Sequence, residues 1–98
     1  MTRARLGFTF VFVIACTPPL PVATEADALR ANVDLAQLNA GRELLLRKCS
    51  SCHDTPTPGQ RSARDWPKQV GQMQQRAGID AAQRALIEQF LVVMAQRP

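Results

Sequence analysis

The sequence predicts a small all-α domain of about three helices. Apolar residues recur at helical spacing in three stretches of the last two-thirds of the chain, and breaks containing proline or glycine separate these stretches. No stretch alternates apolar and polar residues as a half-buried strand does. The 98 residues suit one domain, which we expect at residues 34–98.

The first predicted helix begins near Asp34. Its apolar positions follow near-helical spacing: Leu35, Leu38, Leu45 and Cys49. Asp34 or Asn39 would supply the N-cap. Two prolines and a glycine within residues 54–60 prevent the helix from continuing.

The other two predicted helices carry recognisable end signals. One begins near Asp65, accepts Pro67 in its first turn and ends at Gly78. The last begins at the N-cap Asp80, with Gln83 in a capping-box position. Its apolar residues continue to the end of the chain: Leu86, Ile87, Phe90, Leu91, Val93 and Met94.

The N-terminal stretch predicts a bacterial secretory signal at residues 1–15. Arg3 and Arg5 precede an uncharged apolar run over residues 6–15. A transmembrane helix needs about 20 apolar residues, so this run is too short to span a bilayer. A basic segment followed by such a run is typical of a secretory signal. An uncleaved anchor or a buried helix is the alternative.

The sequence Val13-Ile14-Ala15-Cys16 resembles the lipobox of bacterial lipoproteins. The resemblance implies that Cys16 is lipidated, that it starts the mature chain, and that the protein is held on a membrane in the bacterial periplasm. Cleavage after the A-x-A pattern of residues 26–28 is the alternative, and it would discard Cys16.

Residues 16–33 are predicted to be an extended tether. Pro18, Pro19 and Pro21 favour an extended, semi-rigid chain. Such a tether would let the domain swing on its lipid anchor.

The charge balance gives no support to nucleic-acid binding. The chain has 12 Lys and Arg against 8 Asp and Glu, and loss of Arg3 and Arg5 with the signal leaves a net charge of +2. The arginines are dispersed and tyrosine is absent, whereas a nucleic-acid surface needs a basic stripe interleaved with aromatic residues.

The cluster Cys49-Ser50-Ser51-Cys52-His53 points to a covalent cofactor. A thioredoxin-like redox pair would need a βαβ context, and a closed zinc site needs a fourth ligand, for which the chain offers only Cys16. C-x-x-C-H is the attachment signature of c-type haem, in which two thiols bind the vinyl groups and the histidine binds the iron. We therefore expect one haem c per chain. A domain of about 65 residues is marginally stable, and this one keeps only Trp66 and Phe90 as aromatic residues. A haem would complete its core.

Residues 39–98 resemble a small bacterial class I type cytochrome c domain with one haem. The stretch "GRELLLRKCSSCH" resembles the first helix of that family, with Gly41 at the glycine eight residues before the first haem cysteine. The stretch "LIEQFL" resembles the last helix, with Phe90 at its aromatic position. The resemblance implies that these two helices cross almost in contact at Gly41 and Phe90.

Two methionines are candidates for the second axial ligand. "DWPKQVGQMQQRAG" resembles the W-x-x-x-V-x-x-M segment of certain small bacterial cytochromes c, which implies that Met73 is the distal ligand. Met94 is better explained as a gap filler in the core. An iron with no second protein ligand is the remaining alternative. Commoner class I members place the methionine much later in the chain, just before the last helix.

Three further side chains are candidates for contacts with the haem propionates. Trp66 offers an indole N–H, and Arg61 and Arg64 offer guanidinium donors.

The expected function is electron transfer rather than enzymatic catalysis. Methionine ligation raises the reduction potential of a haem and suits an electron carrier that passes electrons between redox proteins. One alternative is a fixed haem subunit of a larger dehydrogenase. Another is a sensor or peroxidase-like protein whose haem is five-coordinate or labile and binds small ligands.

Overall fold

The computed structural model describes Gly7, residues 20–49 and residues 55–98. Over these residues the chain is helical, with no strand. Helix α1 spans Glu25–Ala31, α2 Leu35–Cys49, α3 Trp66–Ala77 and α4 Ala81–Ala95, and a 3-10 turn spans Pro58–Gln60. The predicted all-α class is confirmed for this part of the chain.

The three predicted helices correspond to α2, α3 and α4. Asp34 caps α2, because its Oδ1 accepts a hydrogen bond from the backbone N–H of Ala36 at 3.0 Å. Asp80 and Gln83 form the predicted capping box of α4, with bonds of 2.7 and 3.0 Å. Gly78 ends α3 in the left-handed conformation, with φ 66°. These helix ends are therefore set by local sequence.

Two details of the predicted caps differ in the structure. Of the two candidates for the cap of α2, Asp34 is the cap and Asn39 lies inside the helix. Asp65 is the N-cap residue of α3, as predicted, but its side chain makes no capping bond. Its carboxylate accepts a bond of 2.9 Å from the hydroxyl of Ser62 instead.

The predicted tether is wrong for the described residues 20–33, which we call the strap. Helix α1 forms within it because Thr24 and Asp27 make a capping box, and the prolines end at Pro21. The strap packs on the domain and buries Leu20, Ala23 and Ala28. The folded domain therefore includes residues before 34. Cys16 and the rest of residues 8–19 lie outside the described residues.

Arginine side chains hold the strap to the domain. Arg42 of α2 donates to the carbonyl oxygens of Leu20 at 2.9 Å and Pro21 at 3.2 Å. Arg97, beyond the end of α4, donates to Asp27 Oδ2 at 2.6 Å and to the carbonyl oxygen of Val22 at 3.2 Å. The strap is thus bonded to residues far away in the sequence.

The crossing of α2 and α4 forms the centre of the core. Both helices contribute side chains that are at most 1% exposed: Leu38, Leu45, Ile87, Phe90 and Leu91. A Cβ atom at Gly41 would overlap the backbone carbonyl of Leu86 and lie 3.0 Å from Phe90 Cβ. The predicted contact of Gly41 with Phe90 is therefore confirmed, and it requires a residue without a side chain.

We predict that Gly41→Ala lowers the free energy of unfolding by about 1–3 kcal/mol. The added methyl would force α2 away from the Leu86 carbonyl, and this overpacking outweighs the better helix propensity of alanine. Urea unfolding followed by circular dichroism measures the change. Gly59→Ala is the matched control, because nothing lies within 4 Å of the added atom. Equal effects of the two substitutions would contradict the close crossing.

We predict that Asp27→Asn also destabilises the fold, by about 1–3 kcal/mol at neutral pH. The Asp27 side chain is 2% exposed, and Arg97 holds the pKa of its carboxyl well below the usual range, against the opposing effect of burial. Because this pKa is lower in the folded state, the ionised carboxyl contributes its full stabilisation of the fold above the unfolded pKa of about 3.9. This contribution is lost as the pH falls below that value.

The difference between wild type and Asp27→Asn should therefore be constant near neutral pH and shrink below about pH 4. Urea unfolding at several pH values tests this. A difference that stays the same down to about pH 3 would show that the charge of Asp27 contributes nothing.

Candidate cofactor site

A pocket of about 480 Å³ lies between the end of α2 and helix α3. Its volume is within the range of about 300–1,000 Å³ that is typical of ligand sites. The residues that line it come from these two helices: Lys48, Cys49, Gln69, Gln72, Met73, Arg76 and Ala77. The structure thus brings Cys49 and Met73, 24 positions apart in the sequence, to one site.

Met73 reaches the pocket because it continues the apolar stripe of α3. Trp66 and Val70 are 1% and 2% exposed and face the core. Met73 and Ala77 follow at the next positions on the same side of the helix, and both are half-buried at the pocket. The apolar face of α3 therefore extends beyond the packed core into the pocket.

Cys49 occupies the equivalent position on α2. Leu45, one turn earlier on the same face, is fully buried, whereas Cys49 at the last residue of the helix is half-buried and lines the pocket. Each of the two helices thus contributes a sulfur-containing side chain to the pocket.

Cys52 and His53 lie outside the described residues, and so does Cys16. Chain length alone keeps His53 within about 14 Å of the Cys49 Cα atom and within about 7 Å of that of Thr55. Within the described part of the chain, no three His, Cys, Asp or Glu side chains form a group able to hold a metal ion.

Met94 is a core residue, as predicted. It is 5% exposed in the hydrophobic cluster and does not line the pocket. Met73 is the methionine that the structure brings near Cys49.

The three predicted propionate contacts do not line this pocket. Trp66 is buried, and its indole N–H donates to the carbonyl oxygen of Pro58 at 3.0 Å, so the single donor of the ring is already used. Arg61 and Arg64 are exposed in the segment before α3.

The cations that line the pocket are Lys48 and Arg76, which our reading of the sequence missed. Their positions contain the signal. Arg76 follows Met73 by three residues, which places it on the same face of α3, and Lys48 adjoins Cys49 in the last turn of α2.

Among the described helices, none is long and apolar enough to cross a membrane. Comparison of the chain with protein-family models, with curated proteins and with solved structures gave no match.

We predict that Trp66→Phe lowers the free energy of unfolding by about 1–3 kcal/mol. The substitution keeps the ring in the core but leaves the buried carbonyl of Pro58 without its donor. Urea unfolding measures the loss, and the exposed Arg64→Gln should change stability by less than about 0.5 kcal/mol. Unchanged stability together with a shifted haem reduction potential would instead favour the indole as a propionate donor.

Proposed function

We propose that this protein carries one covalently bound haem c and transfers single electrons between redox proteins. The observation that supports the proposal best is the shared pocket of Cys49 and Met73. Cys49 opens the C-x-x-C-H sequence, and Met73 is the methionine that the resemblance to small cytochromes c implies as distal ligand.

The residues at the pocket fit a haem. Cys49 and Cys52 would form the two thioethers, and His53 and Met73 would be the axial ligands of the iron. A methionine thioether is an established ligand of c-type haem iron, and Met73 would supply it here. The apolar stripes that continue from Leu45 and Val70 into the pocket suit the flat apolar body of a porphyrin. When bound, the haem supplies a one-electron Fe(III)/Fe(II) couple.

The protein's own residues determine how that couple is used. Met73 is part of the packed helix α3 and would bind the iron from there, which would favour electron transfer over the binding of external ligands. The buried side chains behind it, Leu45 and Val70, exclude water from that side of the pocket. Lys48 and Arg76 place positive charge at its wall.

A ligand-binding haem is the second candidate, and one observation favours it. Gln69 and Gln72 line the same pocket as Met73, and their amide groups could donate hydrogen bonds to a small molecule bound to the iron. The two candidates differ in whether Met73 binds the iron.

The proposal includes the periplasm and a lipid anchor at Cys16. Covalent haem attachment at C-x-x-C-H takes place outside the cytoplasm, in agreement with the secretory signal at residues 1–15. The partners would be membrane-bound or periplasmic redox proteins, one as electron donor and one as acceptor. A larger dehydrogenase could contribute one of them.

We predict that Met73→Ala opens the iron to external ligands. The wild type should have the weak long-wavelength band of methionine-ligated ferric haem and should not bind carbon monoxide when reduced. The variant should lose the band and bind carbon monoxide, because the distal ligand is gone. Absorption spectra of the haem-loaded protein provide the measurement.

Met94→Ala is the matched control for this prediction. It should keep the wild-type spectrum while losing about 2–5 kcal/mol of stability, because Met94 is a buried core residue. A wild type that already binds carbon monoxide would contradict the electron-carrier function and favour the ligand-binding candidate.

We predict that Cys49→Ser and Cys52→Ser each leave the haem attached through one thioether. Only the double variant should release the haem during denaturation and extraction with acidified solvent, since either remaining thioether is covalent. The mass of the denatured protein reports the attachment. Haem that is fully extractable from the wild type would refute covalent binding.

A further inference from the structure

The strap, residues 20–33, shortens the distance between the anchor and the domain. An anchor separated from the domain by the 18 residues 16–33 could extend to about 60 Å. Because Leu20 is already packed in the core, the four peptide units from Cys16 to Leu20 span at most about 14 Å. A lipid on Cys16 would therefore hold the start of the strap next to the bilayer.

The strap is bonded firmly enough to transmit this restraint. Arg42 binds the carbonyl oxygens of Leu20 and Pro21, and Arg97 binds both Val22 and Asp27. Arg30 of α1 adds a bond of 2.9 Å to the carbonyl oxygen of Val93 in α4. The strap is therefore held against both α2 and the end of α4.

The strap also carries apolar surface that the domain does not cover. Among the described residues, the large hydrophobic side chains left exposed are Val22 at 58% and Leu29 at 80%, and both belong to the strap. Val22 lies at most about 20 Å from Cys16 along the chain. Arg97, bonded to the Val22 carbonyl, is also paired with Asp27, so the charge beside Val22 is balanced.

We propose that the strap docks on the bilayer that holds the lipid anchor, with Val22 toward the lipid. This inference rests on the proposed lipidation of Cys16 and the proposed haem. Docking holds the domain in one orientation and prevents it from swinging. The haem pocket then stays close to the membrane, since Arg42 and Cys49 are two turns apart on one face of α2, about 10 Å along its axis.

Energy transfer from the membrane to the haem tests the proposal. The full lipidated, haem-loaded chain is placed in vesicles of phosphatidylcholine and phosphatidylglycerol that contain a trace of headgroup-labelled fluorescent lipid. Quenching of the label by the haem reports how close the domain is held. Mass spectrometry of the same sample verifies the lipid on Cys16 and the haem.

A Gly-Ser insertion of about 12 residues between Pro19 and Leu20 adds roughly 20 Å of flexible reach and leaves the strap unchanged, so a docked strap should keep the wild-type transfer. Adding Val22→Glu to the insertion variant should reduce the transfer by about twofold or more, because it disfavours contact with the lipid without touching the core. Ala85→Glu introduces the same negative charge on the exposed face of α4 and should leave the transfer unchanged.

Each outcome is decisive. Wild-type transfer in the insertion variant that is lost on addition of Val22→Glu and kept with Ala85→Glu supports docking. Transfer that falls with the insertion alone, or that Val22→Glu does not reduce, overturns docking and leaves the proposed function standing. A chain that lacks the lipid or the haem in the mass measurement overturns the proposed function, and the docking inference with it.

Discussion

The close crossing of α2 and α4 is the constraint on which the rest of the structure depends. At Gly41 the backbone of α2 lies almost against the Leu86 carbonyl and the Cβ atom of Phe90. A domain this small has few large side chains with which to separate its helices, so the helices themselves must pack closely. Cys49 lies two turns after this crossing on α2.

The pocket is the place where this core remains incomplete. Along α2 the burial falls from Leu45 to Cys49, and along α3 it falls from Val70 to Met73. Both helices therefore present apolar surface to the same pocket. The proposed haem, linked through Cys49, would cover this surface, and its binding would stabilise the fold.

The strap shows how ionic contacts can make a short peripheral segment part of a domain. Asp27 is buried, but its charge is satisfied by Arg97, by Arg30 at 3.1 Å and by the backbone N–H and hydroxyl of Thr24. A buried carboxylate is costly unless it is paired and hydrogen-bonded, as it is here. The same arginines also bind backbone carbonyls across the contact, since Arg97 donates to that of Val22 in the strap and Arg30 to that of Val93 in α4.

The sequence by itself determined the features that depend on neighbours within about four residues. These include the all-helical class of the described residues, the caps at Asp34 and Asp80, the left-handed end at Gly78 and the C-x-x-C-H pattern that predicts the haem. The glycine at position 41 was predictable through its resemblance to a known helix crossing. Each of these signals is complete within a single turn or motif.

The tertiary structure decided what depends on partners far apart in the chain. Arg97 and Asp27 are 70 residues apart, so no local pattern indicates that they pair or that the proline-rich segment ends in a packed helix. The indole N–H of Trp66 donates to the Pro58 carbonyl, and this partner follows only from the position of the 3-10 turn in the tertiary structure. Lys48 and Arg76 became pocket residues because two helices meet there. Periodicity gives the face of a helix, but packing alone determines which other group that face meets.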